Sequence, residues 1–99
     1  MIRVNERLEI PDQYLQEEFF GNAGPGGQNV NKVSTAVRLR LYLAAVPLPV
    51  EIKARLFARL SAHLNEAGEL VCVSRIHRTQ LLNRQEAERK MEQLIQGAL

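Results

Sequence analysis

The stretch Val33-Ser34-Thr35-Ala36-Val37-Arg38-Leu39-Arg40-Leu41-Tyr42 decides the fold. In it Val33, Thr35, Val37, Leu39 and Leu41 alternate with Ser34, Ala36, Arg38, Arg40 and Tyr42. Successive side chains of a strand point to opposite faces, so a period of two describes a strand with one buried and one open face. Downstream, Pro47 and Pro49 end the strand, and Pro49 suits the opening of a helix because its missing N–H is one of the donors left unpaired there. Ile52, Leu56, Phe57, Leu60 and Leu64 then share one helical stripe, while Lys53, Arg55, Arg59 and His63 mostly take the other faces. Asn65-Glu66-Ala67-Gly68 reads as a helix stop with Gly68 in the left-handed cap position. Leu70 to Ile76 is a bounded, β-rich run. Thr79 caps a last helix whose stripe includes Ala87, Met91, Leu94 and Ile95, with Glu86 and Lys90 at the pairing distance of one turn.

Upstream of the decisive strand, Ile2, Val4, Leu8 and Ile10 stand two or four residues apart, and Leu15, Glu17 and Phe19 alternate with Gln16, Glu18 and Phe20. This predicts two short strands around Pro11-Asp12, which form a turn or a single helical turn. The resulting order is β-β-loop-β-α-β-α. It describes an α+β fold, a small and mostly antiparallel sheet with two helices packed on one face. A chain of 99 residues has room for one domain, spanning 1–99.

Composition excludes several classes. Hydrophobic residues at 45% and charged residues at 24% match an ordinary soluble globular chain rather than a disordered one. The single cysteine, Cys72, allows no internal disulfide, and without further thiols or a histidine cluster there is no Cys/His zinc site. No metal or other cofactor is expected. No apolar run approaches the roughly 18 residues needed to span a bilayer, and the start of the chain lacks the apolar segment of a secretory signal. The expected location is cytoplasmic, with no membrane partner.

The net charge of +2 is unevenly spread. Residues 1–31 carry two arginines against five acids, residues 32–60 six cations against one acid, and residues 61–99 five against five. Lys32, Arg38, Arg40, Lys53, Arg55 and Arg59 form this basic middle block, which reads either as a polyanion-facing surface or as a solvated face.

Conventional catalytic groups are scarce. His63 and His77 are separated by a helix end and a strand, and neither has a Ser or Cys partner at motif spacing. Cys72 falls in an apolar strand, where a thiol behaves as a small hydrophobe. Glu17 and Glu18 are strand neighbours that point to opposite faces, and Glu86, Glu88 and Glu92 read as solvated helix residues, so neither group makes an acid–base dyad.

What remains is the run Gly21 to Lys32, with four glycines and one proline in twelve residues, which no regular element survives. A phosphate-binding loop requires a second glycine followed by Lys and Ser or Thr leading into a helix, whereas Gly27 is followed by Gln28 and Lys32 leads into a strand. A dinucleotide fingerprint fails as well, because Gly24-Pro25-Gly26-Gly27-Gln28-Asn29 lacks the third glycine and again meets a strand.

Gly26-Gly27-Gln28, set in Gly24-Pro25-Gly26-Gly27-Gln28-Asn29-Val30-Asn31-Lys32-Val33 and followed by Ser34-Thr35-Ala36-Val37-Arg38-Leu39, resembles the GGQ loop of the catalytic domain of class I peptide-chain release factors. It is most similar to the small stand-alone ribosome-rescue peptidyl-tRNA hydrolases of the YaeJ (ArfB) type. The resemblance continues through Leu48-Pro49, Arg75 to Asn83 and Ala87, so it covers essentially the whole chain.

The resemblance implies codon-independent hydrolysis of the ester of peptidyl-tRNA in the peptidyl-transferase centre, which releases nascent peptides from stalled ribosomes. The implied partners are the ribosome, through its large-subunit rRNA, and peptidyl-tRNA in the P site. Gly26, Gly27 and Gln28 would be catalytic, the glycines by letting the main chain approach the ester and Gln28 by offering its backbone N–H to the oxyanion. Gly24, Pro25, Asn29, Asn31 and Lys32 would support the loop, and Lys32, Arg38, Arg40, Arg75 and Arg78 would meet RNA. The side-chain amide of Gln28 would be a substrate for a glutamine methyltransferase. Family members continue past the last helix into a Lys/Arg-rich tail, which is absent from this chain. Since the sequence stops at Leu99, the missing ribosome affinity is expected beyond that residue. Two other readings stand beside this one: a non-catalytic ribosome-binding module, which an intact Gly26-Gly27-Gln28 argues against, and a hydrolase of free peptidyl-tRNA, which would need a base of its own.

Overall fold

A computed structural model describes residues 1–21 and 34–99. Their elements are β1 (Ile2–Arg3), β2 (Glu9–Ile10), β3 (Leu15–Phe20), β4 (Ala36–Tyr42), α1 (Val50–Leu60), β5 (Glu69–Ser74) and α2 (Gln80–Gly97). Short 3-10 turns cover Asp12–Tyr14, Leu43–Ala45 and Ser61–His63. The expected α+β class is borne out.

The alternation around Arg38 acts as predicted. Val37, Leu39 and Leu41 are fully buried on one face of β4, while Arg38 and Arg40 stand on the other. Burying such side chains contributes roughly 1.5 to 3 kcal/mol each. β4 is the middle strand of an antiparallel sheet ordered β3-β4-β5, with Leu39 opposite Cys72 and Leu41 opposite Leu70. α2 lies across β4 and β5 with Ala87, Met91 and Ile95 buried, and α1 adds Leu56 and Leu60 to the same core. At the free edge of β5, the Lys90 ammonium donates to the Val73 carbonyl at 2.8 Å, covering an acceptor that a second strand would otherwise pair.

Three local expectations are corrected. The first predicted strand is a hairpin of its own, in which Ile2 pairs with Ile10 and Arg3 with Glu9 in a separate two-stranded sheet against α2. Its strands are only two residues long, too short to show a period. Asn65 to Gly68 does not cap α1, which ends at Leu60; it is a turn into β5. Gly68 keeps the left-handed conformation, φ +81°, and donates its N–H to the Asn65 carbonyl at 2.9 Å. Glu86 pairs with Arg89 rather than Lys90, because Lys90 is drawn to β5.

The acids of α2 are also less solvated than expected. Glu92 accepts the Arg3 backbone N–H at 2.7 Å. Glu88 sits with Asp12 and Glu17 around the Arg84 guanidinium, tying the N-terminal segment and β3 to the helix.

Candidate functional site at the root of the glycine loop

β3 and β4 are ladder neighbours whose last register pair is Phe20 with Ala36. The chain between them therefore leaves and re-enters the sheet at one end. Gly24, Pro25, Gly26, Gly27, Gln28, Asn29, Asn31 and Lys32 lie outside the described residues. The root of the loop is described. Ser74, the last residue of β5, stands opposite Val37, so the turn from Arg75 to Thr79 and the first turn of α2 reach the same end of the sheet.

Phe20 marks the upstream side of the root. The Arg38 guanidinium lies 4.8 Å and that of Arg75 5.4 Å from its ring centroid, within the range of cation–π attraction. On the downstream side the Gln80 amide donates to the Ser34 carbonyl at 2.5 Å, and the Asn83 Nδ2 donates to the Thr35 carbonyl at 2.7 Å. Asn83 is fully buried. Its Nδ2 also donates to the His77 carbonyl at 3.0 Å, and its Oδ1 accepts from the Ser74 hydroxyl at 3.0 Å and the His77 backbone N–H at 2.9 Å. Thus both amide hydrogens and both oxygen lone pairs are used, which fixes the orientation of the amide.

Sequence reasoning missed Phe20, Gln80 and Asn83 as site residues. For Asn83 a signal existed, since it stands one helical turn before Ala87 on the buried stripe of α2, where an amide must find partners.

The predicted RNA contacts are placed unevenly. Arg38 and Arg40 occupy the open face of the sheet, as expected, but both are engaged. Arg40 Nε donates to Glu18 Oε1 at 2.8 Å, Arg40 Nη1 to Glu69 at 3.5 Å, and Arg38 Nη1 to Glu18 at 3.4 Å. Arg40 also lies four residues along β4 from Ala36, roughly 13 Å at the usual strand rise. Arg75 and Arg78 are exposed in the turn before α2. The wider basic block is dispersed: Lys53 donates to the Ala44 carbonyl and Arg59 to the Leu99 carbonyl, each at 2.8 Å.

Cys72 is 7% exposed, and burial pushes its thiol above the usual range against a smaller opposing effect of Lys90, so it is no nucleophile at neutral pH. The depression of about 460 Å³ between β5 and α2 is lined by Cys72 and by Lys90, whose ammonium is already bonded to Val73. It offers no acid–base pair for hydrolysis. No helix among the described residues is long and apolar enough to cross a membrane.

The described residues thus form a scaffold that braces both roots of a glycine-rich connection at one end of an antiparallel sheet. The chain belongs to the RF-1 domain family, whose model matches residues 3–98. It is 36% identical over 98 residues to peptidyl-tRNA hydrolase ArfB of Pseudomonas putida, covering 99% of this chain and 72% of that protein. It is 34% identical over 90 residues to the large ribosomal subunit protein mL62 of Mus musculus, covering 90% of this chain and 44% of that one. A shorter segment of 32 residues is 68% identical to peptide chain release factor 1 of Leuconostoc citreum, covering 32% of this chain and 9% of that factor.

Proposed function

We propose that the protein hydrolyses the ester between nascent peptide and tRNA in the ribosomal peptidyl-transferase centre, without reading a codon, and so frees peptides from stalled ribosomes. The observation that carries this reading is the similarity, over nearly the whole chain, to a peptidyl-tRNA hydrolase. In this reading Gly26-Gly27-Gln28 supplies the chemistry.

The reaction needs water delivered to an ester carbonyl and a place for the negative charge that develops on oxygen. Glycines at positions 26 and 27 remove the Cβ atoms that would hold the main chain away from the ester. The Gln28 backbone N–H then donates to the oxyanion, an interaction of about 3 to 4 kcal/mol when the donor is placed for the transition state. The Gln28 side chain admits water and excludes larger nucleophiles, and its amide is the acceptor for a glutamine methyltransferase. Gly24, Pro25, Asn29, Asn31 and Lys32 shape the loop. Lys32, Arg75 and Arg78 meet large-subunit rRNA, with Arg38 and Arg40 contributing from the open face of the sheet. The location proposed for this role is the cytoplasm.

The test is Gly27→Ala. Its added methyl restricts the loop and leaves the core untouched, so the variant unfolds at the wild-type midpoint while its single-turnover release from stalled ribosomes falls at least about a hundredfold. A folded Gly27→Ala protein with wild-type release would remove the proposal.

A further inference from the structure

We propose that Asn83, with Gln80 beside it, is a positioning residue for the glycine loop: from the first turn of α2 the two amides fix where the chain re-enters the sheet and thereby aim the loop. This deepens the proposed hydrolase function and rests on it.

The geometry has three parts. First, Asn83 connects segments far apart in sequence, since its bond to the Thr35 carbonyl spans 48 residues while those to Ser74 and His77 span nine and six. It therefore sets the position of Thr35, the residue just ahead of β4, relative to the end of β5. Second, Gln80 reaches one residue further toward the loop, to the Ser34 carbonyl, from a half-buried position on the same helical turn. Third, the turn that Asn83 organises through the N–H and carbonyl of His77 also carries Arg75, which lies over Phe20 on the upstream side. The turn that Asn83 holds thus borders both described ends of the segment that carries Gly26-Gly27-Gln28. Neither amide replaces a ladder bond, because Ser34 and Thr35 lie ahead of β4. Hydrophobic packing alone would be met by an aliphatic residue at position 83. An amide with all four hydrogen-bonding positions used specifies direction as well as burial.

A positioning role predicts a loss in rate rather than in binding. Misplacement of a reacting group by about 1 Å can cost a hundredfold. In single-turnover peptide release at saturating stalled ribosomes, Gln80→Ala should be slower by about tenfold and Asn83→Asp by about a hundredfold, with half-saturating ribosome concentrations within about twofold of wild type. Asn83→Asp keeps the size of the side chain and its acceptor but sets a carboxylate against the Thr35 and His77 carbonyls. Gln80→Ala removes one half-buried bond and leaves the core as it is.

Amide hydrogen exchange of the free proteins supplies a readout independent of activity. Ala36 and Val37 should exchange faster in both variants, while Leu41 and Leu70, toward the other end of the sheet, keep wild-type protection. Unchanged saturating rates in both variants, or a loss confined to half-saturation, would overturn the proposal. Wild-type protein inactive on ribosomes would remove the hydrolase function, and the exchange comparison would still decide whether the amides hold the root.

Discussion

Glu18 faces Arg38 across the ladder and accepts from Arg40 at 2.8 Å, so the open face of the sheet carries its own counter-charge. The hydrogen bond from Arg40, aided by Arg38, holds the Glu18 carboxyl below its ordinary range. A carboxylate with a depressed folded pKa stabilises the fold at pH values above its unfolded pKa, and that contribution is lost as pH falls through the folded pKa. Glu18→Gln should therefore have a lower thermal midpoint than wild type at neutral pH, and the difference should shrink below the carboxylate range. A difference constant from neutral to acid pH would show that the pairing plays no part. The opposite facing of Glu17 and Glu18 was readable from strand period alone: Glu17 turns to Arg84 on α2, Glu18 to the arginines of β4. The role of Asn83 was not readable, because its partners are backbone groups and a hydroxyl set by the fold.

At the scale of elements, local chemistry decides where α2 begins. Thr79 is extended, φ −122° and ψ 153°, and its Oγ1 accepts the Leu82 N–H at 3.2 Å, satisfying a donor that the first turn leaves open. Thr79→Ala should cost about 1 kcal/mol in urea unfolding, and an unchanged stability would mean that the cap bond is replaced by water without loss. This cap and the β4 strand were legible in the sequence because each depends on residues next to one another. The β1-β2 hairpin was not, since two-residue strands have no period and are held by burial of Ile2, Val4 and Ile10. Asn65 to Gly68 gave the correct conformation at Gly68 and the wrong context. A left-handed glycine closes a helix and a strand turn alike, and here Asn65 accepts the Glu69 N–H at 2.9 Å, which settles it for the turn.

At the scale of the whole molecule, the proposed function is divided between a small scaffold and the ribosome. The sheet and α2 brace the two roots of one loop, and the Cys72 thiol, pushed up by burial, lies in the core away from it. Under the proposed function the ribosome would supply the rest of the site, and the chain's membership of the RF-1 domain family supports that reading. The most direct measurement compares cleavage of one peptidyl-tRNA by the full chain in two settings, bound in the P site of stalled ribosomes and free in solution. Release from ribosomes should be faster by at least about a hundredfold, the scale of a single well-placed donor, and should proceed without a stop codon. Cleavage of the free substrate at an equal or greater rate would contradict the account.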